Sequence, residues 1–403
     1  MSCAQTPPIH PHRGLLVACG LALSIAVVNG LARFAYALIL PAMKADLAWS
    51  YTEAGSLNTT NAVGYLLGSY VAFRTVRRWG PKRPFVVGLW ITSVAVILTG
   101  FSRDFYLISA LRFLAGISSA YVFVAGSVLA ASVFPDDPRK AAAAIAIYFG
   151  GGGVGLLVSG LVLPWLFAHG GDQAWPDAWL ALGILSCAGS LLATLAARVT
   201  APPAAHAAPH PWRKAPFTAM FLAYGCFALG YFAYMTFIVA WLRQHHFNAF
   251  EVAVVWSALG LTTLFAPRIW GKPIASWRGG NAQAAILATI AVGAALPVIY
   301  ASFPAMIVSA ALFGMFFMVP ASVTAFVKKG LAPAVWGEAV AAFTVFFSLL
   351  QCVGPLLTGA LADLTSSLAA GLGASAAILL LGAVLALFQR EPRPDAAGRA
   401  MAG

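Results

Sequence analysis

The chain has 403 residues, of which 61% are hydrophobic and only 9% charged, with a net charge of +12. Soluble domains carry about 25% charged residues, so this composition excludes a water-soluble fold and makes lipid the main solvent. The basic excess is spread over short loops between apolar runs, which argues against nucleic-acid binding and reads as a membrane-orientation signal.

Crossing a hydrocarbon core takes roughly 20 apolar residues as a helix. In chain order the sequence predicts twelve such segments, at 14–41, 52–73, 84–101, 105–133, 140–168, 178–197, 216–242, 250–270, 282–301, 304–327, 335–362 and 367–388. The runs lack alternation, and an open sheet cannot face lipid, so strands are excluded. The first run is too long for the apolar region of a signal peptide and has no small-residue cleavage site, so it is expected to be retained. Pro81 and Pro84 flank the third segment, Pro135 and Pro138 follow the fourth, and Pro333 precedes the eleventh. The widest interruption, 198–215, is rich in Ala, Pro and His and reads as a flexible linker. It divides the chain into halves at 1–197 and 216–403. His206 and His210 in it have no acidic or thiol partner nearby, and the five cysteines (Cys3, Cys19, Cys187, Cys226 and Cys352) show no ligand or redox spacing. No metal or cofactor is expected.

Nineteen Lys and Arg residues fall on the side of the N-terminus and the even-numbered loops, against Lys44, Arg103 and Arg243 on the other. By the positive-inside rule both termini are then cytoplasmic. The remaining two, Arg33 and Arg112, lie inside apolar segments.

The sequence also repeats weakly on itself at an offset of 198 residues. Phe34-Ala35-Tyr36 meets Phe232-Ala233-Tyr234, Glu53 meets Glu251, and Leu114 and Gly116 meet Leu312 and Gly314. VGLLVSG at 154–160 meets VGPLLTG at 353–359, one residue off. An offset of six segments makes the halves parallel repeats, an arrangement that puts a binding site near the midplane.

These motifs resemble the major facilitator superfamily over essentially the whole chain. RTVRRWGPKR at 74–83, with Arg77, Arg78 and Gly80, is similar to that superfamily's basic loop motif, although Arg77 stands where the family has an acid. RFLAG at 112–116 matches its intramembrane Arg-x-x-x-Gly motif. Gly150 to Gly153, Gly155, Gly160 and Pro164 resemble its glycine-rich antiporter motif without the Gly-Pro pair. The stretch from Gly30 to Tyr36, with Pro41 and Met43, resembles the YbfB/YjiJ branch. The resemblance implies an all-α fold of twelve transmembrane helices in two six-helix repeats.

Arg33 is the sharpest functional signal. It lies eight residues inside the outer end of the first segment, about 12 Å deep at 1.5 Å per residue. A charge there costs about 2.5–3.5 kcal/mol on insertion scales, so such residues face a cavity or partner. At helical spacing Asn29, Arg33, Tyr36 and Leu40 share one face. Arg112 lies at similar depth, where a structural role bonding carbonyls competes with a binding role. No carboxylate is placed to neutralise either arginine. Glu53 and Glu251 fit capping boxes with Ser50 and Asn248, and Asp363 ends the eleventh segment. Paired arginines without a counter-ion suggest an anionic, carboxylate-like substrate. Further lining candidates are Asn58, Asn61 and Tyr65 on the second segment, Tyr224, Tyr231 and Tyr234 on the seventh, Trp256 and Gln351. Polar side chains at these places also join helices. Gly116, Gly152, Gly155, Gly354 and Pro355 read as close-packing positions that also serve gating.

The expected activity is secondary transport of a small solute by alternating access, in a monomer in the bacterial cytoplasmic membrane whose partners are lipid and substrate. No GxxxxGK[ST] loop is present to bring ATP. An efflux antiporter for neutral or cationic compounds, or a transporter-derived receptor, are the competing readings. A membrane enzyme is not expected, since no HExxH or paired intramembrane aspartates occur.

Overall fold

The computed structural model describes residues 11–134, 137–200, 214–332 and 335–391. Most of the predicted linker, with His206 and His210, lies outside the described residues, as do Cys3, Pro135 and Pro333, the loop and tail cations Arg213, Arg393 and Arg399, and the side chain of Arg77.

Among the described residues the protein is all-helical. We label the rods α1 (Arg13–Asp46), α2 (Tyr51–Trp79), α3 (Lys82–Thr99), α4 (Phe105–Ala131), α5 (Pro138–Gly170) and α6 (Trp175–Arg198). They continue as α7 (Thr218–Gln244), α8 (Ala249–Ser276), α9 (Asn281–Ile299), α10 (Phe303–Gly330), α11 (Trp336–Thr365) and α12 (Leu368–Leu387). Eleven are long and apolar enough to cross a membrane; α2 has the length, 29 residues, but not the apolarity. Its polar run Ser56, Asn58, Thr59, Thr60 and Asn61 is the reason, and much of that run is turned inward: Asn58 and Asn61 are each 2% exposed.

Helix starts follow local chemistry. Both predicted capping boxes form: Ser50 Oγ accepts from Glu53 N while Ser50 N donates to Glu53 Oε2, and Asn248 and Glu251 do the same for α8. Asp104 caps α4 and Asp137 caps α5 ahead of Pro138. Gly80 ends α2 at φ +72°, a left-handed conformation that a side chain would strain, which explains the glycine of the basic loop. Lysines at two helix ends cap neighbouring helices: Lys82 Nζ, at the start of α3, donates to Arg198 O, and Lys329 Nζ, in the last turn of α10, to Ile274 O and Trp277 O.

α1 is not uniform. Ala26–Phe34 is π-helical, and Ala35 N donates to Gly30 O. There the helix lies against α5 backbone to backbone, and a side chain on Gly155 would meet Ala26 O and Gly30 Cα. Gly151 likewise meets Ala22 O. The wider turn changes which way Arg33 points. α11 is interrupted at Cys352 and Val353, between Gln351 and Gly354.

The packing is lopsided along the helix axes. One core unites α1 from Leu31 to Met43 with α2, α6 and the helices from α7 onward. At the Arg13 end of α1, a separate core of Val17, Leu21, Phe85, Leu129, Phe134 and Tyr148 belongs to α1–α6 and the loop after α4. The helices α1–α6 and α7–α12 thus share a core around the middle and the Asp46 end, and not at the other end.

Candidate functional site

The site is built where α1, α2, α4, α7 and α11 meet. Arg33 is 5% exposed and Gln351 fully buried, and Arg33 Nη2 donates to Gln351 Oε1 at 2.7 Å. Tyr231 Oη donates to the same oxygen at 3.0 Å. The guanidinium lies 4.7 Å from the ring centre of Phe232, 5.1 Å from that of Tyr65 and 5.9 Å from that of Phe34, so three aromatic rings supply the negative potential that a carboxylate would otherwise bring. Arg33 Nε and Gln351 Nε2 are buried without a hydrogen-bond partner. Around a cation, this cluster holds donors to spare and no acid.

Arg112 sits beside it; its Nε is also without a hydrogen-bond partner, but its terminal nitrogens are more fully used. It donates to Ala32 O, to Arg33 O at 3.5 Å and to Asn58 Oδ1 at 3.0 Å, and lies over the rings of Tyr36 and Trp179. Asn61 Nδ2 donates to Arg112 O, and Asn58 Nδ2 reaches across to Thr236 Oγ1 of α7 at 2.9 Å. Arg112 therefore ties α4 to α1 and α2. Among the described residues neither arginine takes part in an ion pair; those found are Arg103–Asp46, Lys140–Asp137 and Arg243–Asp172.

The expected stripe on α1 is split. The π-helical stretch sends Arg33 toward α7 and α11, while Tyr36 donates to Ala54 O and stacks on Trp179. Asn29 is buried at 5% exposure. The α7 tyrosines also divide: Tyr231 faces Gln351, whereas Tyr234 bonds Ser309 and stacks on Phe313 of α10. Trp256 belongs to the α5–α8 contact, donating to Ser159 Oγ at 3.2 Å. The small residues are packing positions: a side chain on Gly116 would meet Asn61 O, on Gly152 the Phe317 ring, and on Gly354 the Leu229 carbonyl. Pro355 O lies against Gly55 of α2. Arg78 is exposed.

A second cluster, at the Asp46 end, escaped the sequence reading. Asp363 accepts from Tyr51 N, Thr52 N and Thr52 Oγ1, Gln244 Nε2 donates to Tyr51 Oη, and Arg243 pairs with Asp172 at 2.5 Å. Each contact joins α1–α6 and their loops to α7–α12. One signal was available: an acid at the C-terminal end of a helix opposes its own dipole, so Asp363 needed a partner elsewhere.

A family profile described as an uncharacterised MFS-type transporter, YbfB, matches residues 25–387. A gallate transporter of Pseudomonas putida is 28% identical over 182 residues, 45% of this chain. The match spans only 39% of that protein's length. A bacterial homologue of the human lysosomal transporter Spinster, inward-facing and unoccupied, superposes with TM-score 0.69 at 15% identity, covering 96% of this chain and 99% of the other. A mutant of the nucleoside transporter NupG gives 0.67 at 12% identity, covering 96% and 99%. The long apolar helices and the profile match agree, and the chain is a multi-pass membrane protein belonging to the YbfB-like family of major facilitator superfamily transporters.

Proposed function

We propose that this protein is a secondary transporter of small organic anions, with Arg33 as the residue that holds the anionic group. The observation that carries this is a buried guanidinium whose neighbours are one amide oxygen and the aromatic rings of Phe34, Tyr65 and Phe232, with no acid beside it. A buried cation without a counter-charge is costly, and a carboxylate would supply the missing acceptors and the charge. The similarity of part of the chain to a gallate transporter points the same way, since gallate is a carboxylate.

On this reading α2 is the twelfth crossing, and residues 1–197 and 216–403 are parallel six-helix halves joined by the 198–215 linker. Both termini are cytoplasmic, in a bacterial cytoplasmic membrane. The halves rock about the Arg33 level by alternating access, and the protein acts as a monomer without cofactor or enzymatic step. The shared core at the Asp46 end and the separate core at the Arg13 end support an inward-facing reading, with Asp363, Asp172 and Arg243 closing the outer side.

The test is flux in proteoliposomes for a panel of labelled carboxylates, including pyruvate, succinate and benzoate. At least one is expected to move through the wild-type protein, with Arg33→Ala and Arg33→Lys losing more than about tenfold of the rate, as the loss of a charge-assisted contact predicts. Unchanged flux in both variants at equal expression overturns the assignment.

A further inference from the structure

Resting on the anion reading, we infer that the substrate class is planar aromatic carboxylates, whose ring lies along a ladder of near-parallel aromatic side chains that ends at Arg33.

The ladder is built by α7, α10 and α11. Phe227 and Tyr231, one helical turn apart, stack at 4.7 Å and 19°. Phe347 of α11 lies 5.7 Å from both, at 23° to each. Phe316 of α10 lies 5.7 Å from Tyr231 at 18°. Aromatic pairs in protein cores take edge-to-face as readily as offset-parallel geometry, and other rings in this protein do so, Phe34 against Phe316 at 87° for example. Around Tyr231 the rings from three helices instead share one orientation. Their common plane is the one a flat ring can join by offset stacking, and a chair-shaped ring of equal size cannot.

The ladder terminates in the donors. Tyr231 is both a rung and the residue whose hydroxyl bonds Gln351 Oε1, the oxygen that also accepts from Arg33. Gln351 lies one turn beyond Phe347 on α11. A ring seated against Phe347 and Tyr231 would therefore carry a directly attached carboxylate toward Arg33 Nε and Gln351 Nε2, two buried N–H groups that lack acceptors. Among the described residues no Asp or Glu is buried, so no buried acid repels it. A charge-plus-plane site discriminates on both counts: the guanidinium rejects neutral aromatics, and the ladder disfavours saturated acids.

The experiment is binding to the purified full-length protein in detergent, by calorimetry and thermal shift, with benzoate, cyclohexanecarboxylate, benzyl alcohol and succinate as probes. Benzoate should bind about tenfold more tightly than cyclohexanecarboxylate, the upper range for aromatic stacking, and benzyl alcohol should not bind measurably. Phe347→Leu should bring the two ring acids to within about twofold of one another while Arg33-dependent carboxylate binding persists. Tyr231→Phe keeps the rung, loses the hydroxyl and should retain the preference for benzoate. Equal affinity for benzoate and cyclohexanecarboxylate in the wild type, or tighter Arg33-dependent binding of succinate, overturns the aromatic class and leaves the anion reading standing. Binding of benzoate that Arg33→Ala does not weaken overturns both.

Discussion

Asp363 at the end of α11 binds the first turn of α2 through Thr52, its Oδ2 accepting from Thr52 N at 2.7 Å and from Thr52 Oγ1 at 2.5 Å, with Tyr51 N on Oδ1. The exposed N–H groups of a helix start carry partial positive charge, and here a carboxylate from a helix far along the chain satisfies them. α2 thus has two carboxylates at its N-terminus, its own Glu53 and the incoming Asp363. Only the second has to let go if α2 and α11 are to separate.

Asp363→Asn should therefore favour separation at this end. Hydrogen bonds to charged groups contribute about 1.5–3 kcal/mol, so the population with α2 and α11 apart should rise at least about tenfold. In a cysteine-free background, spin labels at positions 56 and 364 report this separation by pulsed dipolar spectroscopy. An unchanged distance distribution in Asp363→Asn would mean the contact does not hold the two helices together.

The capping boxes give a prediction that separates structure from proton coupling. Glu53→Ala and Glu251→Ala should each lower stability by about 0.5–2 kcal/mol, seen as a lower melting temperature in detergent. Glu53→Gln and Glu251→Gln should keep most of the stability and the flux, because glutamine serves at this position of a capping box. A proton-carrying carboxylate would lose flux on the same change, so a stable Glu53→Gln protein without flux would show that Glu53 carries protons as well as capping the helix.

Close approach of α1 and α5 makes Gly155 intolerant of any side chain, since a Cβ there meets Ala26 O and Gly30 Cα, both backbone. Gly155→Val should destabilise by at least about 1–3 kcal/mol, the usual range for overpacking. Gly373 has nothing within 4 Å of the corresponding position, and Gly373→Ala should leave the melting temperature unchanged or slightly raise it. Equal melting temperatures for the two variants would contradict the backbone contact.

What was legible in the sequence was local or compositional. Apolar runs announce the helices because lipid demands them, and Ser50 with Glu53 announces a helix start because the partners are three residues apart. Arg33 stood out because burying a charge is expensive. Its partner did not: Gln351 is 318 positions away, and an amide in a long apolar helix has many uses. Asp363 and Thr52 are separated by 311 positions. At α-helical spacing Asn29, Arg33 and Tyr36 share a stripe, whereas the Gly30–Gly155 contact accompanies a π-helical stretch that turns Arg33 and Tyr36 to different neighbours. Packing against another helix decided that geometry, and no local pattern encodes it.

The two buried arginines should part company under mutation. Arg112 is spent on Ala32 O, Arg33 O and Asn58 Oδ1 and sits beneath Tyr36 and Trp179. A lysine cannot reproduce that fork of donors, and a truncated side chain leaves buried carbonyls without partners. Arg112→Lys and Arg112→Ala should each cost about 1–3 kcal/mol of stability or more. Arg33 has a single hydrogen-bonded oxygen and three ring contacts to lose, and Arg33→Gln removes a buried charge that no acid balances. Its melting temperature should hold or rise, while the thermal shift given by carboxylates disappears. Melting curves of Arg33→Gln and Arg112→Lys with and without a carboxylate panel give the comparison. A large loss of stability in Arg33→Gln, with the ligand response intact in a folded Arg112→Lys, would make Arg33 a structural residue and move the search for the anion site elsewhere.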